Sequence, residues 1–151
     1  MRVSAKVDYA LRALTELAAS PPGYVKAERL ATAQEIPLKF LENILLELRR
    51  AEIVASQRGA EGGYRLARPP DQIRLADVIR AVEGPLANVR GVRPEELAYE
   101  GRANALREVF VALRANIRAV LEEVTLADVS AGELPESVRD LVRDPEAWAP
   151  H

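Results

Sequence analysis

Apolar residues recur at three- and four-residue spacing through the first fifty positions, give way to two short extended runs, and then resume helical spacing. In "SAKVDYALRALTELAAS" the stripe is Val7, Ala10, Leu11, Leu14, Leu17 and Ala18, with Ser4 as the N-cap and "PPG" at 21–23 as the stop. "VKAERLATAQ" carries Ala27, Leu30 and Ala31 on one face of a second, shorter helix, and "EIP" breaks it. Pro37 suits the first position of a third helix, "PLKFLENILLELRR", whose predicted buried stripe is Phe40, Leu41, Ile44, Leu45 and Leu48. The short break between the second and third helices is helix-turn-helix spacing.

"EIVASQR" and "GYRLARP" flank a glycine turn and read as a β-hairpin. Three helices followed by a hairpin is the order of a winged helix-turn-helix. "QIRLADVIRAVEG" predicts a further helix through Leu75, Val78, Ile79 and Val82, ended by Gly84. Residues 85–103, with Pro85, Gly91, Pro94 and Gly101, read as a loop with a turn of helix at 94–99. The longest pattern, 104–124, has the stripe Leu106, Val109, Phe110, Leu113, Ile117, Val120, Leu121 and Val124. No neighbouring helix in sequence covers it. A second subunit is the favoured cover, and folding back on the first helix is the alternative. "TLADV" predicts a short turn capped by Thr125. The stretch after Gly132 is expected to be loosely held, with Trp148 as a candidate docking contact.

The expected fold is mainly α with a small β-hairpin wing. A winged helix-turn-helix domain (1–84) precedes a loop and candidate effector region (85–103), a dimerisation helix (104–126) and a C-terminal tail (127–151).

Composition removes several chemistries. The 151 residues include no cysteine, which excludes disulfides, thiolate zinc sites, cysteine-ligated iron–sulfur clusters and thiol redox sensing. The single histidine is His151, and no spacing of oxygen ligands suggests a metal site, so no cofactor is expected. No leader-like start or membrane-length apolar run is present, so the expected location is the cytoplasm, with no membrane partner. The net charge of −2 hides an asymmetry: residues 1–70 carry eleven Lys/Arg against eight Asp/Glu, and residues 71–151 carry ten against fifteen. A mildly basic head on an acidic body suits nucleic-acid binding, although many neutral chains divide this way.

"SQRGAEGGYRLARPP", residues 56–70, concentrates three glycines and three arginines. A nucleotide loop would set its glycines between a strand and a helix N-terminus, and a Walker loop would continue with Lys-Ser or Lys-Thr. Here Gly62-Gly63 is followed by Tyr64 and a strand-like run, so that reading is disfavoured. As a wing, Gly59, Gly62 and Gly63 supply positive-φ turn positions and a slender tip. Arg58 then probes a minor groove, with Arg65 or Arg68 near phosphates. Standing alone, the stretch would read as a bare hairpin. Its place after a helix-turn-helix favours the wing.

"MRVSAKVDYALRALTELA", "IPLKFLENILLELRRAEIVASQRGAEGGYRLARP", "IRLADVIRAVEG" and the long helix ending "LEEVTLADV" together resemble the Rrf2 (IscR-like) family of bacterial regulators over roughly residues 1–130. The resemblance implies a dimeric winged-helix transcription factor. Helix three would enter the major groove through Pro37, Lys39, Phe40, Glu42 and Asn43, and the wing arginine, Arg58, the minor groove. The wing motif covers Gly59, Gly62, Gly63, Tyr64 and Arg65. Arg2, Lys6 and Tyr9 fall where the family's first helix approaches the backbone, and the long helix forms the dimer. Cluster-binding members carry three cysteines, and often a histidine, ahead of that helix. This chain has "NVRGVRPEELAYEGRANALRE" there, with Asn104 near the histidine position, and so resembles the subset without a cluster.

The leading expectation is a homodimeric regulator, a repressor, on a double-stranded operator, answering to an unidentified protein or small-molecule effector. The alternative is a relative that keeps the dimer and binds a protein without reading DNA. An enzyme has no nucleophile–base pair or phosphate loop behind it. Glu95-Glu96 and Glu122-Glu123 read as solvated faces rather than acid–base dyads. For Glu42, acceptance from a base and a salt bridge to Lys39 or Arg49 stay equally open.

Overall fold

The computed structural model describes residues 2–150. Helix α1, Ala5–Ala19, starts where the Ser4 side chain accepts from the Val7 N–H at 3.2 Å. Helix α2 is Ala27–Gln34 and α3 is Leu38–Arg50, with Pro37 standing one position earlier than expected, as the cap residue. The reversal between them turns on Glu35, which takes the left-handed conformation (φ 52°), and the Ile36 N–H donates to the Ala31 carbonyl. The hairpin strands, β1 (Val54–Gln57) and β2 (Gly63–Leu66), pair antiparallel with Val54 opposite Leu66 and Gln57 opposite Gly63. Helix α4 is Leu75–Glu83, and α5 is Leu106–Leu121.

The core is the shared interior of α1–α4 and the hairpin. Val7, Ala10, Leu14 and Leu17 of α1 meet Leu30 of α2, Leu41, Ile44, Leu45 and Leu48 of α3, and Val78 and Val82 of α4. This is the interior that the helical spacing predicts, since positions at i, i+3, i+4 and i+7 share one face. Phe40 departs from it. Its ring is 45% exposed and stands edge-on to Tyr9, with centroids 5.6 Å apart, on the rim of the α1–α3 contact.

The C-terminal third differs from expectation in three respects. Helix α5 ends at Leu121, so Val124 lies beyond it. Val124 is 3% exposed, buried within its own chain, rather than on the α5 stripe. Its carbonyl accepts from the Leu75 N–H, the Leu126 N–H donates to the Ile73 carbonyl, and Arg74 and Thr125 form a bridge between them. "TLADV" is then a full helix, α6 (Leu126–Ala131), with a Thr125–Asp128 capping box and Leu126 fully buried in the main core. It is α6, not α5, that packs against α1. The stretch after Gly132 contains a helix, α7, Glu136–Arg143, which packs on the 3-10 turn that follows it at Pro145–Trp148. Ion pairs Glu136–Arg139 and Asp140–Arg143, each 2.5 Å, lie along α7, and the Trp148 indole N–H donates to the Val142 carbonyl while its ring stays exposed.

Candidate nucleic-acid interface

Helix α3 buries one face and leaves the other to solvent. Lys39, Asn43, Leu46 and Arg50, spaced i, i+4, i+7 and i+11, form one exposed row, with Glu42 beside it. Pro37 and Phe40 are exposed at the helix start. Leu46 and Arg50 are absent from the residues that sequence reasoning singles out. The row spacing from Lys39 and Asn43 is the signal that identifies them. Among the described residues Glu42 has no cation within 4.0 Å, so the salt bridge to Lys39 or Arg49 is not formed; Arg49 instead reaches the Ser56 hydroxyl at 3.3 Å.

The wing is built on close backbone approach. The Tyr64 N–H donates to the Val25 carbonyl at 2.8 Å, and the Val25 N–H to the Tyr64 carbonyl at 2.7 Å, so Val25, just before α2, makes a single antiparallel bridge to the hairpin. A Cβ on Gly63, whose φ is +146°, would collide with that same Val25 carbonyl. Gly62 is different from the expectation of a positive-φ turn residue. Its requirement is space, because a Cβ there would run into the Gln57 carbonyl. The Gly62 N–H closes the tip onto the Gly59 carbonyl at 3.1 Å, and Lys26 Nζ donates to that carbonyl at 2.7 Å. Arg58 stands exposed on this tip, and the Arg65 guanidinium lies 5.0 Å from the Tyr24 ring centroid.

The first-helix candidates separate. Tyr9 packs on Phe40 and carries the Arg12 guanidinium on its ring at 4.9 Å. Lys6 Nζ pairs with Glu47 Oε2 at 2.7 Å, which ties α1 to α3 and part-neutralises this cation. Arg2 lines a crevice with Glu83, Asn88 and, from α5, Phe110 and Leu113, on the side of the α4–α5 junction.

The expected dimer stripe splits in two. Phe110, Ile117, Val120 and Leu121 are half-buried by their own chain, and Phe110 lies 6.5 Å from Tyr99. Leu106, Val109 and Leu113, at i, i+3 and i+7, form an exposed apolar edge, with Val109 57% and Leu113 42% exposed.

Between α4 and α5 the chain is laced by ion pairs. Arg80 of α4 and Arg118 of α5 both donate to Glu122 Oε1, the latter at 3.0 Å, and Arg114 pairs with Glu95. Hydrogen bonds from Arg118 and then Arg80 hold the Glu122 carboxyl down at about 2. The Glu95 carboxyl is also lowered, by its backbone hydrogen bonding first and by Arg114.

The donor set of this segment does not fit an iron–sulfur cluster or a mononuclear iron site. From Asn88 to Asn104 it offers amides, a phenol and the carboxylates Glu95, Glu96 and Glu100, without thiol or imidazole. No three His, Cys, Asp or Glu side chains converge among the described residues, and Glu95 is engaged by Arg114.

Residues 3–132 match the Rrf2 family profile, described as iron-dependent transcriptional regulator. A protein of Mycobacterium tuberculosis named as an HTH-type transcriptional regulator is 52% identical over 145 residues, covering 95% of this chain and 90% of the relative. The solved structure of CymR, the global cysteine regulator of Bacillus subtilis, superposes with a TM-score of 0.75 at 32% identity, covering 87% of this chain and 98% of CymR. T. potens IscR gives 0.69 at 30% identity over 100% and 93% of the two chains. A family match across most of the chain, a relative identical at half its positions, and the same winged-helix architecture agree: the chain belongs to the Rrf2 family of bacterial HTH-type transcriptional regulators.

Proposed function

We propose that the protein is a homodimeric, operator-binding regulator that acts in the cytoplasm without an iron–sulfur cluster. Helix α3 enters the major groove, the wing tip enters the adjacent minor groove, and the apolar edge of α5 joins the two subunits. The observation that carries this reading is the pairing of an exposed Lys39–Asn43–Leu46–Arg50 row with a wing tip, hydrogen-bonded to Lys26, that presents Arg58. On such a face Asn43 can read an adenine edge, Leu46 can meet a thymine methyl, and Lys39 and Arg50 can hold phosphates or guanine. Glu42, an anion with no cation partner among the described residues, opposes a polyanion unless it accepts from a cytosine amino group. The mode of action proposed is repression, by a dimer whose operator overlaps the promoter and so occludes polymerase.

Helix and wing fail differently when mutated, and that difference is the test. Binding of the native promoter, against single-base variants at two salt concentrations, is compared among wild type, Arg58→Ala and Glu42→Ala. Arg58→Ala weakens binding and flattens the salt dependence by about one counterion per subunit, and its lost discrimination concerns A·T content under the wing. Glu42→Ala relaxes discrimination at one base pair per half-site and leaves nonspecific affinity equal or higher. Wild-type affinity and salt slope in Arg58→Ala would leave the turn a bare hairpin.

A further inference from the structure

The cleft at the α4–α5 junction is a cationic site that the DNA-binding reading does not use. It is an open surface cleft of about 450 Å³. Four guanidinium groups line it from three separate segments: Arg80 from α4, Arg93 from the connecting loop, and Arg114 and Arg118 from α5. Two carboxylates answer them, Glu95 and Glu122. The balance leaves two positive charges in excess. Arg93 has no carboxylate within 4.0 Å among the described residues. Arg114 is only 23% exposed, so its charge is less screened than that of a surface arginine. Each guanidinium carries five N–H donors, and the three ion pairs leave most of them available. Pro85, Leu86 and Ala87 add a short apolar stretch to its lining. Charge-assisted fork contacts beside a short apolar stretch are the complement of a compact organic anion of two charges.

We propose that this cleft binds a small organic dianion, a short dicarboxylate or a phosphate monoester, held by Arg93 and Arg114 with Arg80 and Arg118 at its margin. Such a ligand would join Arg93 of the connecting loop to Arg114 of α5, beside the Arg80–Glu122 pair that already ties α4 to the end of α5. Any effect of that contact on operator binding rests on the DNA-binding reading; the site itself does not.

The test is calorimetric titration of the full chain, without DNA, with inorganic phosphate and with succinate, each against sodium chloride at equal ionic strength. Saturable binding of one or both, with Kd of about 1 mM or tighter, is expected. A phosphate-only result assigns a phosphoryl ligand, and a succinate-only result a dicarboxylate. Arg93→Gln, which breaks no ion pair, weakens binding about tenfold. Glu95→Gln, which frees Arg114 from its carboxylate, strengthens it several-fold, an effect opposite to that of general damage. Failure of both probes to exceed the chloride control, or binding indifferent to both substitutions, would overturn the proposal. A protein that binds DNA but neither anion contradicts this site alone, and one that binds an anion but no DNA contradicts the operator reading alone.

Discussion

Lys26 Nζ donates to the Gly59 carbonyl at 2.7 Å, joining the residue that opens α2 to the tip of the wing thirty-three positions later. Because Val25 also pairs with Tyr64, the tip is held at both its base and its apex by the same two-residue segment. Lys26→Met should raise amide hydrogen exchange at residues 58–63 in the free protein. It should also lower operator affinity about three- to tenfold with the unfolding midpoint unchanged. Unaltered exchange would show that Lys26 does not hold the tip.

Gly63 tolerates no side chain. Gly63→Ala combines a φ of +146° with a Cβ driven into the Val25 carbonyl, so the hairpin must pull away from the Val25 segment. Urea denaturation should show a loss of about 2 kcal/mol or more. Gly23, with open space around it, is the control that isolates crowding from backbone strain.

Leu113→Asp and Val109→Asp test the dimer at positions already exposed in the single chain, so the protomer has no reason to unfold. A charge in a buried apolar seam costs several kcal/mol unless it is paired. Light scattering should change from dimer to monomer while circular dichroism is retained. A wild-type chain that stays monomeric at high micromolar concentration would remove α5 from the interface.

The Glu122 carboxylate gives the α4–α5 junction an acid limit. Its folded-state value of about 2 lies below the ordinary 4.5, so the ionised form is the one folding favours. Its contribution is therefore complete above pH of about 4.5 and is lost as pH falls towards 2. The difference in urea midpoint between wild type and Glu122→Gln should close over that window. It should also shrink at high salt, since the group is solvent-accessible.

Much of the fold was legible because α1, α2, α3 and α4 each bury one face against the others, and a face is a local property of spacing. Phe40 shows the limit of that logic. It lies at the edge of the α3 stripe, and only the Tyr9 ring, thirty-one residues away in sequence, decides which side it joins. Pairing of Val25 with Tyr64, and of Arg74 with Thr125, is likewise non-local and left no mark on periodicity. Helix α7 did leave one: Pro135 followed by Glu136, Arg139, Asp140 and Arg143 at helical intervals. At the candidate interface the residue types were readable and the partnerships were not. Nothing in "SAKVDYALRA" foretells that Lys6 is committed to Glu47 while Glu42 goes unpaired.

The stitch between Arg74 and Thr125, with Leu126 buried beside Ile73, means that the head is not a contiguous piece of polypeptide. Residues 85–123 are an excursion that leaves and re-enters it, closed at its root like a hairpin of a larger kind. A gene fragment stopping at Gly84 would therefore encode a head missing one of its own interior side chains, and grafting the head onto a foreign oligomer would require carrying α6 along. The same stitch fixes the C-terminal end of α5 to the head through Thr125 and Leu126, beside α1 and α4.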